Sequence, residues 1–420
     1  MRKISLLAML LLLACASSRS DRAQQQHDAI IKAKKRIQLE SNSSNWIELG
    51  NAFLKVQALD SALHAFNKAL SLKKGAPGAV CGKAIVHWHQ DKKKEALAEF
   101  RSVLYSTRAD SFVSVIASKV GCPFQITRLD LSGSDNAFPA CSPVDDRIAF
   151  QSQRQGNWDI YLYSPQTQDL TRITRDPARE GAPVFTDNGN ALVYTSTRND
   201  TLHTRLEVLS RDLYQYDLAT REEIRLTDHP ADDWSPKVSP DGKWLAFLST
   251  RDDTGGFDES YSRPFIMNRE TAALSAITWE PMQYVLGGYH PSGAGFTFSG
   301  KQDDYNLELY IHESGNMPDI NLDGSVMAGD WSPDGKQLVF YRAIEDQLDC
   351  FMHDLQTQKT QQLTCWGSLD AHPVYAADQK SIYFHSNRSG EFQIYRMDLQ
   401  KPIERETLLE TLDHLSDRFD

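Results

Sequence analysis

The chain has 420 residues, enough for two or three domains with cores of their own. Its formal charge of −11 is unevenly spread: residues 26–120 hold 15 basic against 8 acidic side chains, and residues 121–420 hold 26 against 47. The larger part therefore repels phosphate backbones, which argues against nucleic acid as a partner, and the change of composition near residue 121 marks a domain boundary.

The N-terminal run MRKISLLAMLLLLACAS opens with Arg2 and Lys3, continues with an apolar stretch too short to span a bilayer, and sets a small residue before Cys15. Leu12-Leu13-Ala14-Cys15 resembles the lipobox of bacterial lipoproteins. The resemblance implies that residues 1–14 are a removed signal peptide and that Cys15 carries the lipid anchoring the mature protein to a membrane. Ala16 stands where an inner-membrane retention signal resembles Asp, which implies the periplasmic side of the outer membrane in a Gram-negative-type bacterium. The remainder of residues 15–26, with the polar run SSRSDRAQQQ, reads as a tether.

Residues 27–120 carry a helical repeat. Between 46 and 104 the pattern recurs every 34 residues: Ala62, Phe66 and Ala69 return as Ala96, Phe100 and Val103, and Trp46 and Gly50 as Val80 and Ala84. Small residues at fixed helical positions let helices approach, and a large apolar residue one turn on fills the gap. NWIELGNAF…ALHAFNKAL resembles the tetratricopeptide repeat, and DAIIKAKKRIQLE and SFVSVIASKV read as helices flanking the stack. His87 and His89 point to different sides of one helix, so they are expected at the surface or in the core rather than on a metal. The run Lys92-Lys93-Lys94 reads as a solvated helix start.

From residue 121 to about 409 the pattern changes to short alternating strands punctuated by Pro, Gly and Asp. Six copies align on Ser142, Thr186, Ser239, His290, Ser332 and Ala376, at steps of 44, 53, 51, 42 and 44 residues. Eight residues after each anchor stands an aromatic: Phe150, Tyr194, Phe247, Phe298, Phe340 and Phe384. Twelve after it, four copies have Arg154, Arg198, Arg251 and Arg388. Four strands per copy and six copies predict a six-bladed β-propeller. The fold class is thus α plus all-β in two domains, helical repeats followed by the propeller, with residues 410–420 as a C-terminal tail. The last blade closes in one of two ways: FQITRL near residue 126 supplies its outer strand, or RETLL completes it.

WSPDGKQLVFYR, VSPDGKWLAFLSTR and YFHSNRSGEFQIYRMDL resemble the TolB-type propeller repeats of bacterial envelope proteins. In that family a small α/β domain precedes the propeller and docks other Tol components. Helical repeats stand in its place here, which sets this chain apart from that role.

Candidate sites follow from the blade scheme. The stretch DINLDGSVMAGD has the spacing of a calcium loop, with Asp319, Asn321, Asp323 and Asp330 as ligands. Its phase against the anchors makes it instead the last strand of blade four and the link to blade five, so no metal is expected. Two long loops on one face, 199–211 with Leu202, Leu206 and Leu209 at helical spacing, and 252–263 with Phe257 and Tyr261, are candidate partner-binding segments. Glu180, Asp233 and Asp370, each six residues before an anchor, and His372 nearby give that face two readings: acceptors for loop backbones, or an acidic mouth for a basic segment. Five cysteines remain beyond Cys15. Cys350 and Cys365 are the expected disulfide, set opposite each other if LQTQKT forms a hairpin pairing Leu355 with Thr360.

No G-x-S-x-G, HExxH or Walker sequence occurs. His290, His372 and His385 could be forced into the His-bound metal site of propeller sugar lyases, but the alignment puts His290 at a turn and His385 after a core strand. The expectation is a non-enzymatic adaptor without cofactor, holding envelope proteins through its helices and its propeller face. Trp158, Trp234, Trp279 and Trp331 read as tied to blade positions rather than to an open aromatic groove. The alternative is a polysaccharide- or peptidoglycan-handling propeller, binding or lyase-like.

Overall fold

The computed structural model describes residues 24–419 apart from 107–108, 201–209, 252–261, 279–281, 302–306, 314–316, 318–319, 321, 323–324 and 345–346. The chain divides into two units: residues up to Lys119 with Glu404–Asp420, and Val120–Ile403.

The first unit is helical. Helix α1 spans 24–39. It is followed by α2 (Ser43–Lys55), α3 (Leu59–Leu72), α4 (Pro77–His89), α5 (Lys93–Leu104) and α6 (Asp110–Val120). The starts of α2 and α4, Ser43 and Pro77, are 34 residues apart, as are those of α3 and α5, Leu59 and Lys93. The Asn42 side chain caps α2 by accepting from the Asn45 amide at 2.9 Å, and Pro77 starts α4 where no amide is needed. Phe66 on α3 is fully buried as a wedge. A Cβ on Gly50 of α2 would lie 2.5 Å from its ring, and one on Gly82 of α4 2.3 Å from it. His87 meets Glu99 at 3.0 Å and His89 meets Lys119 at 3.0 Å, so the two histidines serve separate contacts. The unit ends with α7 (Arg405–Arg418), which packs on α5, buries Leu408, Leu412 and Leu415 and joins Asp413 to Arg101 at 2.7 Å. The expected boundary at 409 is corrected: RETLL starts a helix whose apolar face belongs with the helical unit.

The second unit holds six antiparallel sheets. Blade one is β2 (Asn136–Cys141), β3 (Ile148–Ser152), β4 (Asp159–Ser164) and β5 (Asp169–Arg172). Blade two is β6 (Glu180–Thr186), β7 (Ala191–Ser196), β8 (Asp212–Asp217) and β9 (Glu223–Arg225). Blade three is β10 (Asp233–Val238), β11 (Trp244–Ser249), β12 (Arg263–Asn268) and β13 (Leu274–Ala276). Blade four has three strands among the described residues, β14 (Tyr284–Tyr289), β15 (Gly295–Lys301) and β16 (Leu307–Glu313). Blade five is β17 (Met327–Trp331), β18 (Gln337–Ile344), β19 (Gln347–Asp354) and β20 (Lys359–Gln362). Blade six joins β21 (Ala371–Tyr375), β22 (Ser381–Ser386) and β23 (Gln393–Pro402) to β1 (Phe124–Arg128). FQITRL thus closes the ring, with Ile126 opposite Met397.

First strands of successive blades touch all the way round, β21 against β2 included. The aromatic eight residues after the anchor is buried in every blade and stacks on one from the third strand in all six, as Phe150 on Tyr161 and Phe247 on Phe265.

The expected Cys350–Cys365 pairing is not what the hairpin gives. Asp354 accepts from the Thr357 amide at 2.7 Å and hydroxyl at 2.8 Å, closing a four-residue turn with Gln358 at φ 53°. Asp354 then faces Lys359, the register sets Cys350 opposite Leu363, and Cys365 lies beyond the strand.

Candidate functional site: the central cavity of the propeller

Each first strand carries a β-bulge at the same place, between Ala137 and Ala140, Gly181 and Val184, Trp234 and Lys237, Leu286 and Tyr289, Met327 and Asp330, and Ala371 and Val374. In four blades the residue before the strand proline has positive φ: Phe138 (53°), Ala182 (48°), Ser235 (54°) and His372 (52°). The bulge breaks the ladder and re-aims backbone and side chain. Blades one and two show how a freed amide is satisfied by the preceding blade: the Phe138 amide donates to His385 Nδ1 at 3.1 Å, and the Ala182 amide to Gln151 Oε1 at 3.0 Å.

The six bulged strands line a cavity of about 950 Å³. On one part of its wall Tyr341, His372 and Phe138 cluster, with buried His385 packed against the latter two; the Tyr341 hydroxyl and His372 Nε2 are 3.3 Å apart, and the His372 ring centroid lies 4.4 Å from that of Phe138. Burial pushes His385 down to about 3, and burial, His385 and Lys237 hold His372 well below the usual histidine range. Both shifts favour the uncharged rings. Lys237 and Asp330 add opposite charges: burial lowers the lysine while Asp330 raises it, and burial raises the aspartate while Lys237 lowers it.

At the end carrying the long loops, Trp158, Arg179, Arg211 and Trp234 contribute to the lining. Arg211 lies 4.8 Å above the Trp234 ring and is paired to Asp232. Trp331 also faces the cavity, so three of the four blade tryptophans share one aromatic-walled space, and Trp279 lies outside the described residues.

The carboxylates read either as internal acceptors or as an acidic mouth turn into their own blades. Arg251 holds Asp233 with bonds of 2.9 and 2.7 Å, Arg198 holds Glu180 at 2.8 Å, and Arg388 holds Asp370 at 2.6 Å; Asn136 takes the place of the acid opposite Arg154, at 2.9 Å. In all four, the arginine Nε donates to a serine at the end of the second strand: Ser152, Ser196, Ser249 and Ser386, at 2.9 to 3.1 Å. Each guanidinium also lies over an aromatic ring of its blade's stacked pair. The three acids are almost completely buried and already have partners, so the reading as internal acceptors is the right one, with an arginine rather than a loop backbone as donor. Burial outweighs Arg198 at Glu180 and lifts its carboxyl to about 7; it raises Asp233 in the same direction.

Of the calcium-type spacing, Asp330 lies in β17, where its Oδ2 accepts from the Tyr375 amide at 3.2 Å. Asp319, Asn321 and Asp323 lie outside the described residues, as do Cys15, Leu202, Leu206, Leu209, Phe257 and Tyr261. His290 is a turn residue bonded to Ser292 at 2.7 Å, whereas His372 and His385 stack on each other. No group of three metal-ligating side chains occurs among the described residues.

Comparison with known proteins places this architecture. A family model described as the Tricorn protease N-terminal beta propeller domain matches residues 206–411, just under half of the chain. An uncharacterized protein of Agrobacterium fabrum is 30% identical over 210 residues, 48% of this chain and 68% of that one. The Tol-Pal system protein TolB of Helicobacter pylori is 25% identical over 236 residues, so the match spans about half of that relative, 54% of each chain. Among solved structures, TolB from Acinetobacter baumannii aligns with a TM-score of 0.46 at 17% identity, covering 70% of this chain and 71% of that one. The second unit is a TolB-like six-bladed β-propeller.

Proposed function

We propose that this protein is an adaptor of the bacterial envelope, held by a lipid on Cys15 at the periplasmic side of the outer membrane, that receives a segment of a partner protein in the propeller cavity. The observation that carries the reading is the cavity itself: about 950 Å³, walled by all six blades and combining Trp158 and Trp234 with Arg179 and Arg211 at the long-loop end. Aromatic anchors beside arginine are the side chains that dominate binding energy at protein interfaces, and the rigid ring presents them without ordering cost. The helical unit, whose 34-residue spacing is that of a tetratricopeptide array, serves as a second protein-binding surface. The TolB relatives support a periplasmic setting.

A second reading rests on the same lining, since tryptophan and arginine also suit an acidic sugar chain. Capture from detergent-solubilised envelope by protein lacking residues 1–25 separates the two. The adaptor reading expects one protein partner, lost by roughly tenfold or more in Trp234→Ala and not displaced by soluble oligogalacturonate or peptidoglycan fragments. Glycan retention without a protein partner reverses the order.

A further inference from the structure

The second unit begins with a buried cysteine that the hairpin reading passed over. Cys122 is fully buried, two residues before the strand β1 that closes the ring. Cys365 is 3% exposed and follows β20 on the link from blade five to blade six. Both are free thiols, and Cys122 is the neighbour that most raises the Cys365 thiol, ahead of burial. The backbone supports the same juxtaposition: a Cβ on Gly121 would lie 2.6 Å from the Gln362 side chain, and Gln362 in turn donates to the Thr364 carbonyl at 2.8 Å. Phe124 and Ile126 pack on the cluster that contains Cys350 and Leu363. The Cys350 thiol points elsewhere, toward the Asp370 carbonyl at 3.6 Å.

We propose that Cys122 and Cys365 form a disulfide that clasps the closing strand to the link between blades five and six. The inference rests on the periplasmic reading for its oxidising surroundings. The chemistry is thiol–disulfide exchange with a disulfide oxidant: one thiolate attacks the oxidant and releases one of its sulfurs as a thiol. The second cysteine thiolate then displaces the other. The S–S bond forms, the oxidant takes up two electrons, and the two protons from the cysteines end on its two thiols. The contact with Cys122 and burial both push the Cys365 thiol well above its ordinary range, so exchange takes place while β1 is undocked and the thiolate is accessible.

The test uses full-length protein purified without reductant, alkylated in denaturant and digested. The expected result is a peptide pair joined through Cys122 and Cys365, with Cys350 alkylated. Reduction is expected to lower the unfolding midpoint by several degrees. That sensitivity is expected to vanish in Cys122→Ala/Cys365→Ala and persist in Cys350→Ala. A second arm refolds reduced protein in a buffer of reduced and oxidised glutathione. A bond formed there but missing from cell-derived protein upholds the pair and refutes the compartment. No Cys122–Cys365 bond in glutathione, or one joining Cys350 to Cys365, overturns the proposal.

Discussion

Glu180 shows what a single side chain does in this fold. Its carboxyl is buried beside Ser196 and Arg198, and burial lifts it from 4.5 to about 7. Between those values the folded chain holds a proton that the unfolded chain has released. The contribution of Glu180 to stability is therefore full below about 4.5 and lost as pH rises through about 7. Glu180→Gln mimics the protonated form, so its stability relative to the parent is expected to climb between pH 5 and pH 8, by at most about 3 kcal/mol. Urea unfolding at four pH values measures this, and parallel curves would refute it. The sequence marked both ends of this contact, the acid six before three of the anchors and the arginine twelve after four of them, without linking them. Yet Asn136 and Arg154, Glu180 and Arg198, Asp233 and Arg251, and Asp370 and Arg388 are all 18 residues apart. That constant interval was the available signal. Both readings of the acids stayed open because strand order alone does not tell which way the first residue of a strand turns.

At the scale of elements, the period of 34 located helix pairs but not the residue that sets their spacing. Phe66 does so by occupying the volume that a side chain on Gly50 or Gly82 would need. Gly82→Ala forces the ring into its neighbours and is expected to destabilise the helical unit by about 1 to 3 kcal/mol despite the better helix propensity of alanine. Circular dichroism melts of Gly82→Ala and of Gly82→Ala with Phe66→Leu check this, the second change restoring much of the loss. Strands were legible because the inside–outside alternation repeats six times. The bulges were less so: Pro139, Pro183, Pro236 and Pro373 stand three residues before their anchors, but a bulge is a two-against-one mismatch between neighbouring strands, and one strand's sequence carries only half of it. The contacts of the residues nine after the anchor, Gln151 and His385 among them, were not legible for a similar reason: their partners lie on the next blade.

For the whole molecule, ring closure depends on one short edge strand drawn from the far end of the chain. Thr127 sits opposite Arg396, two residues before the Leu129 amide that donates to Ile394 at 2.9 Å. Proline at Thr127 removes a donor on the paired side of β1. Thr127→Pro is expected to expose β23 amides to hydrogen exchange before the rest of the propeller opens, whereas the parent loses them in the global transition. Uniform protection in the variant would show that β1 is not what holds blade six. The sequence left this closure open between two candidates because both have the composition of an outer strand; burial of Leu408, Leu412 and Leu415 on a helix removed RETLL from the contest.

The crossing of the two chain ends carries a consequence for biogenesis. The propeller needs β1 from the front of its sequence and β23 from the back, and the helical unit needs α7, which follows every blade in the chain. Neither unit therefore has its full set of elements until the last blade has been synthesised, and the usual order in which the first domain finishes before the second emerges does not apply. Until Ile126 meets Met397, the first and last strands of the ring are edges without their partner.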